Sequence, residues 1–253
     1  MPPDEKLEPD TVTTTASRAQ TALHPSLVGV RAVLFDVGGT LLHPDWERLA
    51  RLASQGAGRE FRPSELGRKF KEMMCEVDAG MQRGEPAPED SRQRNWVFRR
   101  VYRALEIDEA TCESLSEQID ATHAERHLWC APDDEAARVL GALKEAGLRL
   151  AVISNTEDGR LDELLELVGL KQHFDLLIDS HVVGQRKPDA GIFQMTLARL
   201  GLEPREAVFI GDSYAHDALA ALSVGMRAVL LDPLDFYPDS LCPRIRTLGE
   251  LIG

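Results

Sequence analysis

The chain has 253 residues, of which 43% are hydrophobic, with 19 glycines and 14 prolines. This composition excludes collagen-like and coiled-coil proteins and is typical of one or two globular domains. The formal net charge of −13 disfavours nonspecific binding to nucleic acids or anionic membranes, so we expect no nucleic acid and no membrane among the partners.

The N-terminal segment, residues 1–28, is rich in Thr, Pro and acidic residues and has no apolar periodicity, which predicts a disordered tail. No stretch approaches the roughly 18 apolar residues of a membrane-spanning helix, and the N-terminus lacks the apolar core of a secretory signal. The four cysteines form no C-x-x-C pair, which favours free thiols in a reducing compartment. We therefore predict a cytoplasmic protein whose ordered part begins near Val28.

The first predicted strand is the apolar run 31–36, which ends in an acidic residue and leads into the turn residues Gly38 and Gly39. Between residues 44 and 130 no strand-like run occurs, and charged residues alternate with Leu, Phe, Met and Trp at helical spacing. We predict roughly four helices in this block, with a break at 83–90, where the sequence is RGEPAPED.

From residue 132 onward, predicted helices and strands alternate. The helices are 132–146, 158–168, 189–200 and 214–224, and the strands are 148–153, 174–179, 207–210 and 228–231. This alternation predicts an α/β fold in which a parallel sheet is covered by helices on both faces. Because the helical block interrupts the pattern after the first strand, we expect 29–43 and 131–253 to form one domain and 44–130 to be an inserted helical domain.

Polar side chains follow the carboxyl ends of the predicted strands, where ligands bind in open parallel sheets. They are, in chain order, Asp36, Ser154, Asn155, Lys187, Asp212 and Asp217. Clustered carboxylates repel one another, and a hard cation such as Mg²⁺, which prefers oxygen ligands, relieves that repulsion. Lys187 and the hydroxyl of Ser154 are suited to hold phosphoryl oxygens, which would leave Asp36 to attack phosphorus.

Four segments that contain these residues resemble the signatures of the haloacid dehalogenase-like (HAD) hydrolases. The segments are FDVGGTL, VISNT, QRKPD and FIGDSYAHD, in the family's order and each at a predicted strand end. The resemblance spans about residues 29–253. It implies a Rossmann-like α/β core with an α-helical cap domain, and a Mg²⁺-dependent hydrolase that removes phosphate from a small phosphorylated metabolite.

The resemblance also implies a role for each residue. Asp36 matches the nucleophile, which forms an aspartyl-phosphate, and Ser154 and Lys187 match the catalytic groups that hold the phosphate. Asn155, beside Ser154, is expected to contact the substrate. The implied ligands of the metal are Asp36, the carbonyl of Gly38, Asp212 and Asp217, the last of which also supports the lysine.

One position departs from the family's pattern. Phosphatases of this family usually have an aspartate two residues after the nucleophile, as general acid and base, whereas this chain has Gly38. Loss of such a group typically costs roughly 10²–10⁴-fold in rate, so substrates with good leaving groups are expected. His43 and Asp45, which follow closely, are alternative proton donors or simply residues of the hinge.

Two other functions remain open. An L-2-haloacid dehalogenase of the same fold would attack carbon without a metal, but Gly38 and the Gly211-Asp212 pair disfavour it. A binding or regulatory module with a weakened site would account for Gly38. The retained charges of Asp36 and Lys187 disfavour that alternative, since buried charges are costly without a ligand.

Several side chains are not assigned by their spacing. Trp46 and Trp129 lie near the ends of the helical block and either line a substrate pocket or fill the block's core. His123 and His127 are four residues apart, but no third ligand follows in sequence, so we interpret them as surface or core residues. The oligomeric state is also left open.

Overall fold

A computed structural model describes residues 22–86 and 88–253. Eight strands occur in this part of the chain: β1 (Ala32–Phe35), β2 (Leu42–His43), β3 (Ala131–Pro132), β4 (Arg149–Ser154), β5 (Leu176–Asp179), β6 (Ala207–Gly211), β7 (Arg227–Leu231) and β8 (Arg244–Ile245). Six of them form a sheet in the order β5-β4-β1-β6-β7-β8, in which all neighbouring strands are parallel.

The same residues contain nine α-helices: α1 (Trp46–Ala57), α2 (Pro63–Gln82), α3 (Trp96–Ala104), α4 (Glu109–Glu125), α5 (Ala136–Glu145), α6 (Leu161–Leu167), α7 (Ser180–Val183), α8 (Ala190–Leu200) and α9 (Ala220–Ser223). A π-helical segment, Tyr214–Leu219, directly precedes α9. Among these helices, none is both long and apolar enough to cross a membrane.

The central strands are apolar at every position because helices cover both faces of the sheet. Val33 and Phe35 of β1 belong to one core cluster, together with side chains of α5 and α6. Leu34, between them, belongs to a second cluster with side chains of α8 and α9. Successive residues of a strand point to opposite faces, so the two clusters lie on opposite sides of the sheet. The predicted α/β fold is confirmed.

Helices α1–α4 lie between β2 and β3, which pair as a short antiparallel ladder. The four helices share a hydrophobic cluster of their own. Its aromatic side chains are in mutual contact: the ring centroids of Trp46 and Phe70 are 5.5 Å apart, and those of Phe98 and Trp129 are 5.7 Å apart. Trp46 therefore fills the core of the helical block.

The predicted helix 158–168 begins later than expected, at Leu161. Gly159 has a φ of +73°, which an α-helix does not allow, and Asp158 instead accepts a hydrogen bond from the N–H of Arg160 at 3.2 Å. Residues 157–159 thus stay outside the helix as a loop.

The expected start of order near Val28 is wrong, although most of the predicted tail, residues 1–21, lies outside the described residues. The N–H of His24 donates to the carbonyl of Leu251 at 3.0 Å, and Leu23 forms a β-bridge with Ile252. Leu27 is only 1% exposed and packs in the cluster beneath α5. A run of so few apolar residues has no periodicity, so the sequence pattern did not indicate these contacts.

We expect Leu27→Ala to destabilise the protein by about 2–5 kcal/mol, since it removes a fully buried side chain and leaves a cavity. The neighbouring Val28 is 65% exposed, so Val28→Ala should change the free energy of unfolding by no more than about 0.5 kcal/mol. Urea unfolding followed by circular dichroism measures both. Equal effects would contradict the packing of this segment on the sheet.

Candidate active site

The carboxyl ends of three neighbouring strands bring the predicted residues together. Strand β1 pairs with both β4 and β6, and Asp36, Ser154 and Asp212 lie at the ends of these strands. A cavity of about 150 Å³ opens at this edge of the sheet. Seven sequence-predicted residues line it: Asp36, Gly38, Ser154, Asn155, Lys187, Asp212 and Asp217.

Lys187 links two of the carboxylates at the centre of the site. Its Nζ is 2.6 Å from Oδ1 of Asp36 and 2.7 Å from Oδ1 of Asp217, and the side chain is only 2% exposed. Burial alone would lower the pKa of Lys187, but the two carboxylates raise it above its usual value, so the amine stays charged.

Burial is also the main influence on the pKa values of Asp36 and Asp217, although Lys187 lowers both. Burial, together with the charges of Asp217 and Asp212, raises the pKa of Asp36 to about 7 against the opposing effect of Lys187. Burial likewise raises the pKa of Asp217. Charged groups that repel one another in a buried site favour a cation between them.

The carboxylates of Asp36, Asp212 and Asp217 suit a hard cation, because one oxygen from each lies within 4.8 Å of the others. Two glycines permit this packing. A Cβ at Gly39, whose φ is +93°, would lie 2.2 Å from Oδ2 of Asp212, and a Cβ at Gly211 would lie 2.3 Å from Oδ2 of Asp217. Only glycine fits at either position, so the backbone forms a cradle for the carboxylates, and the three of them fit a divalent cation.

The two residues after β4 have different surroundings. Ser154 is buried at the end of the strand and lines the cavity. The amide of Asn155 forms two hydrogen bonds of 2.9 Å with the backbone of Lys187, one to the carbonyl and one from the N–H. The side chain of Asn155 therefore holds Lys187 in place, and binding substrate with it, as the sequence predicted, would require these bonds to break.

The wall beside Gly38 is aromatic. A Cβ built at Gly38 would lie 3.2 Å from Cζ3 of the Trp129 ring, so this ring takes the space beside the position of the missing aspartate. Trp129 also packs against Phe70 and Phe98, which places it at the junction of the helical block and the sheet. Trp129 therefore lines the cavity, a question that the sequence left open.

Neither alternative proton donor lies in the cavity wall. Nε2 of His43 is 3.3 Å from Oδ2 of Asp133, and Asp45 accepts a hydrogen bond from the N–H of Arg48 at 3.0 Å, which caps α1. The geometry gives no support to either as the general acid. Glu157 does line the cavity, and burial, opposed by Arg186, raises its pKa to about 7.

The sequence spacing showed no third ligand for His123 and His127, but the structure places Asp158 beside both. Its Oδ2 is 3.2 Å from Nε2 of His123 and 3.9 Å from Nε2 of His127. Nδ1 of His127 accepts the N–H of Trp129 at 3.2 Å, so in the neutral ring the proton is on Nε2, and no lone pair is left there for a metal. We interpret the three residues as a structural cluster in which His123 is hydrogen-bonded to Asp158, and His127 and Asp158 line the cavity.

The helical block supplies charged groups that sequence reasoning missed. Lys71 of α2 donates a hydrogen bond to the carboxylate of Asp212, and its Nζ is 3.5 Å from the carbonyl of Gly39. Asp78, seven residues further along α2, bonds to the loop after β6. Nothing in the sequence distinguishes these two residues from the many solvent-exposed charged residues of the block.

Comparisons with known proteins agree with this geometry. Residues 30–225 match the family model described as haloacid dehalogenase-like hydrolase. The Bos taurus "Haloacid dehalogenase-like hydrolase domain-containing protein 3" is 32% identical over 231 residues, which cover 88% of this chain and 91% of that protein. The protein of the same description from Xenopus laevis is 35% identical over 144 residues, or 55% of this chain and 58% of that protein. Phosphoserine phosphatase of Thermus thermophilus is 36% identical over 135 residues, which cover 53% of each chain.

Solved structures share the architecture. The HAD phosphatase from Thermococcus onnurineus has 27% identity and a TM-score of 0.55, and the match covers 88% of this chain and 96% of that one. L-2-haloacid dehalogenase from Xanthobacter autotrophicus, with 21% identity, a TM-score of 0.57 and the same coverage of both chains, shares the fold. With the family model spanning most of the chain and the four segments meeting at one cavity, the protein belongs to the haloacid dehalogenase-like hydrolases.

Proposed function

We propose that this protein is a Mg²⁺-dependent phosphohydrolase that acts on a small phosphorylated metabolite through an aspartyl-phosphate on Asp36. The observation that best supports the proposal is the contact of Lys187 with both Asp36 and Asp217, beside a third carboxylate from Asp212. A relative named as a phosphoserine phosphatase points to the same chemistry.

In the first step, a carboxylate oxygen of Asp36 attacks phosphorus, the bond from phosphorus to the leaving oxygen breaks, and that oxygen takes a proton from solvent water. In the second step, water attacks phosphorus and gives up a proton to solvent as the bond to Asp36 breaks, which releases inorganic phosphate and restores the carboxylate. Lys187 and the hydroxyl of Ser154, both at the cavity, hold the phosphoryl oxygens during both steps.

The residues that would hold Mg²⁺ are Asp36, the carbonyl of Gly38, Asp212 and Asp217. When bound, the metal supplies positive charge that offsets the charge of the phosphoryl group. Gly39 and Gly211 contribute through their lack of a Cβ, because any side chain there would displace the carboxylates of Asp212 and Asp217.

The substrates best suited to this site have leaving groups that need no general acid. Gly38 offers no proton, and Trp129 fills the space beside it. The leaving groups of aryl and acyl phosphates are weakly basic phenolates and carboxylates, which need no proton in the transition state. The alkoxide of an alkyl phosphate is strongly basic and does need one. We therefore place aryl and acyl phosphates ahead of alkyl and sugar phosphates.

A substrate panel tests this function. Phosphate release from p-nitrophenyl phosphate, acetyl phosphate and a set of sugar phosphates should require Mg²⁺ and should stop when EDTA removes it. Halide release from 2-chloropropionate, measured with and without EDTA, is the parallel assay. Halide release that persists in EDTA would establish a dehalogenase instead. If neither product forms, and beryllium fluoride with Mg²⁺ does not raise the melting temperature, the protein is a binding module.

A further inference from the structure

We infer that Asp78, a carboxylate of the helical block, is a positioning residue that holds the loop of Asp212 and Asp217 in the geometry required for metal binding. The inference rests on the proposed Mg²⁺ site. It assigns to helix α2 a role beyond covering the cavity.

Asp78 is fully buried near the end of α2, and both of its carboxylate oxygens accept hydrogen bonds from the sheet side of the molecule. Oδ1 accepts from the hydroxyl of Ser213 at 2.7 Å. Oδ2 accepts from the backbone N–H of Tyr214 and from the hydroxyl of Tyr237, both also at 2.7 Å. Hydrogen bonds to a charged carboxylate are stronger than those between neutral groups. Three of them at this length therefore hold the donors in one arrangement.

The charge of Asp78 is maintained by the same contacts. Burial alone would raise the pKa of Asp78, but the nearby His216, whose Nδ1 lies 3.7 Å from Oδ1, and the hydrogen bonds from Tyr237 and Ser213 hold it below its usual value. A buried anion whose donors come from another part of the chain is costly to separate from them, because the charge would be left without partners. The helical block and the loop after β6 are therefore joined at this point.

The joined loop is the one that presents the proposed metal ligands. Ser213 and Tyr214 directly follow Asp212, and the N–H of Ser213 donates to Oδ2 of Asp217 at 3.1 Å. A shift of this peptide would therefore displace both carboxylates. Residues 214–219 form a π-helix, a geometry that is uncommon and often occurs at functional sites.

Helix α2 contacts this loop at a second point. Lys71 is seven residues before Asp78, so the two lie two turns apart on the same face of the helix, and Lys71 bonds to Asp212 itself. Met74 and Val77, between them, line the cavity. The helix that forms part of the substrate pocket thus also orients the metal-binding loop.

The test is calorimetric titration of Mg²⁺ into the full chain, as wild type, Asp78→Asn and Tyr237→Phe. Asparagine has the same size, but its amide group would face hydrogen-bond donors. Loss of a partner that orients a ligand typically weakens metal affinity about 10–100-fold, so we expect this increase in Kd for Asp78→Asn and a smaller one for Tyr237→Phe. Tyr237→Phe removes the hydroxyl that donates to Asp78 but leaves the buried carboxylate in place, so it can be measured even if Asp78→Asn does not fold.

Ile119→Val is the matched control, because Ile119 is buried in the helical block away from the loop. It should lower the melting temperature and leave the Kd of Mg²⁺ unchanged, which separates positioning from loss of stability. Wild-type Kd values in both Asp78→Asn and Tyr237→Phe would overturn the inference and leave the proposed function standing. A wild-type chain that binds no Mg²⁺ would overturn the proposed metal site and, with it, the inference.

Discussion

Replacement of Asp36 with asparagine should reduce phosphate release by on the order of 10⁴-fold or more, the scale at which removal of a nucleophile acts. The amide has the volume of the carboxylate but cannot form the bond to phosphorus. The amide oxygen can still accept from Lys187, which keeps its ion pair with Asp217, so the protein should still fold. Initial rates with p-nitrophenyl phosphate and Mg²⁺, beside a thermal melt, measure both effects.

Asp45→Asn is the control for this experiment. Asp45 caps α1 outside the cavity, and asparagine caps helices equally well, so its rate should match that of the wild type. Wild-type turnover in Asp36→Asn would remove Asp36 from the mechanism. A loss of turnover in both variants would indicate a general effect of the substitutions rather than loss of a nucleophile.

The wild-type enzyme should hydrolyse acetyl and p-nitrophenyl phosphate at least about 10²-fold faster than an alkyl phosphate, because it lacks the general acid at Gly38. Gly38→Asp would restore the acid. The φ of Gly38 is not positive, so an aspartate can adopt this backbone conformation, but its Cβ would lie 3.2 Å from the Trp129 ring. The single variant should therefore gain less than Gly38→Asp combined with Trp129→Leu.

The measurement is kcat/KM of four proteins on an alkyl and an aryl phosphate: wild type, Gly38→Asp, Trp129→Leu and the double variant. The double variant should gain on the alkyl ester more than on the aryl ester, and Trp129→Leu alone should not. Equal gains on both esters would mean that Gly38 is only a turn residue. If the wild type is already fast on alkyl esters, the acid lies elsewhere, and Glu157→Gln would then test the carboxyl group in the cavity whose pKa is about 7.

The sequence determined which residues lie at the edge of the sheet. Asp36, Ser154 and Asp212 follow apolar runs, and the carboxyl ends of parallel strands necessarily meet at one edge. Any chain that forms these strands in a parallel sheet therefore brings the three side chains together, whatever the details of packing. For the same reason, the alternation of helices and strands was sufficient to predict the fold.

The direction in which a side chain points is not determined by its spacing. Asn155 was expected to contact the substrate, but its amide is bonded to the backbone of Lys187. The burial of Leu27 could not be predicted either, because a segment of a few residues is too short to show a hydrophobic periodicity.

The partners of the helical block were decided only by the tertiary structure. Periodicity predicts that a helix is amphipathic, but not which charged residues at the border of its apolar face meet another element. Lys71 and Asp78 reach the Asp212 loop, and Trp129 reaches Gly38, because of how α2 and the chain entering β3 pack against the sheet. These contacts join residues more than 90 positions apart, and their geometry depends on packing angles that no local pattern specifies. The sequence by itself thus determined the polar residues at the strand ends, whereas the packing of the helices determined what surrounds them.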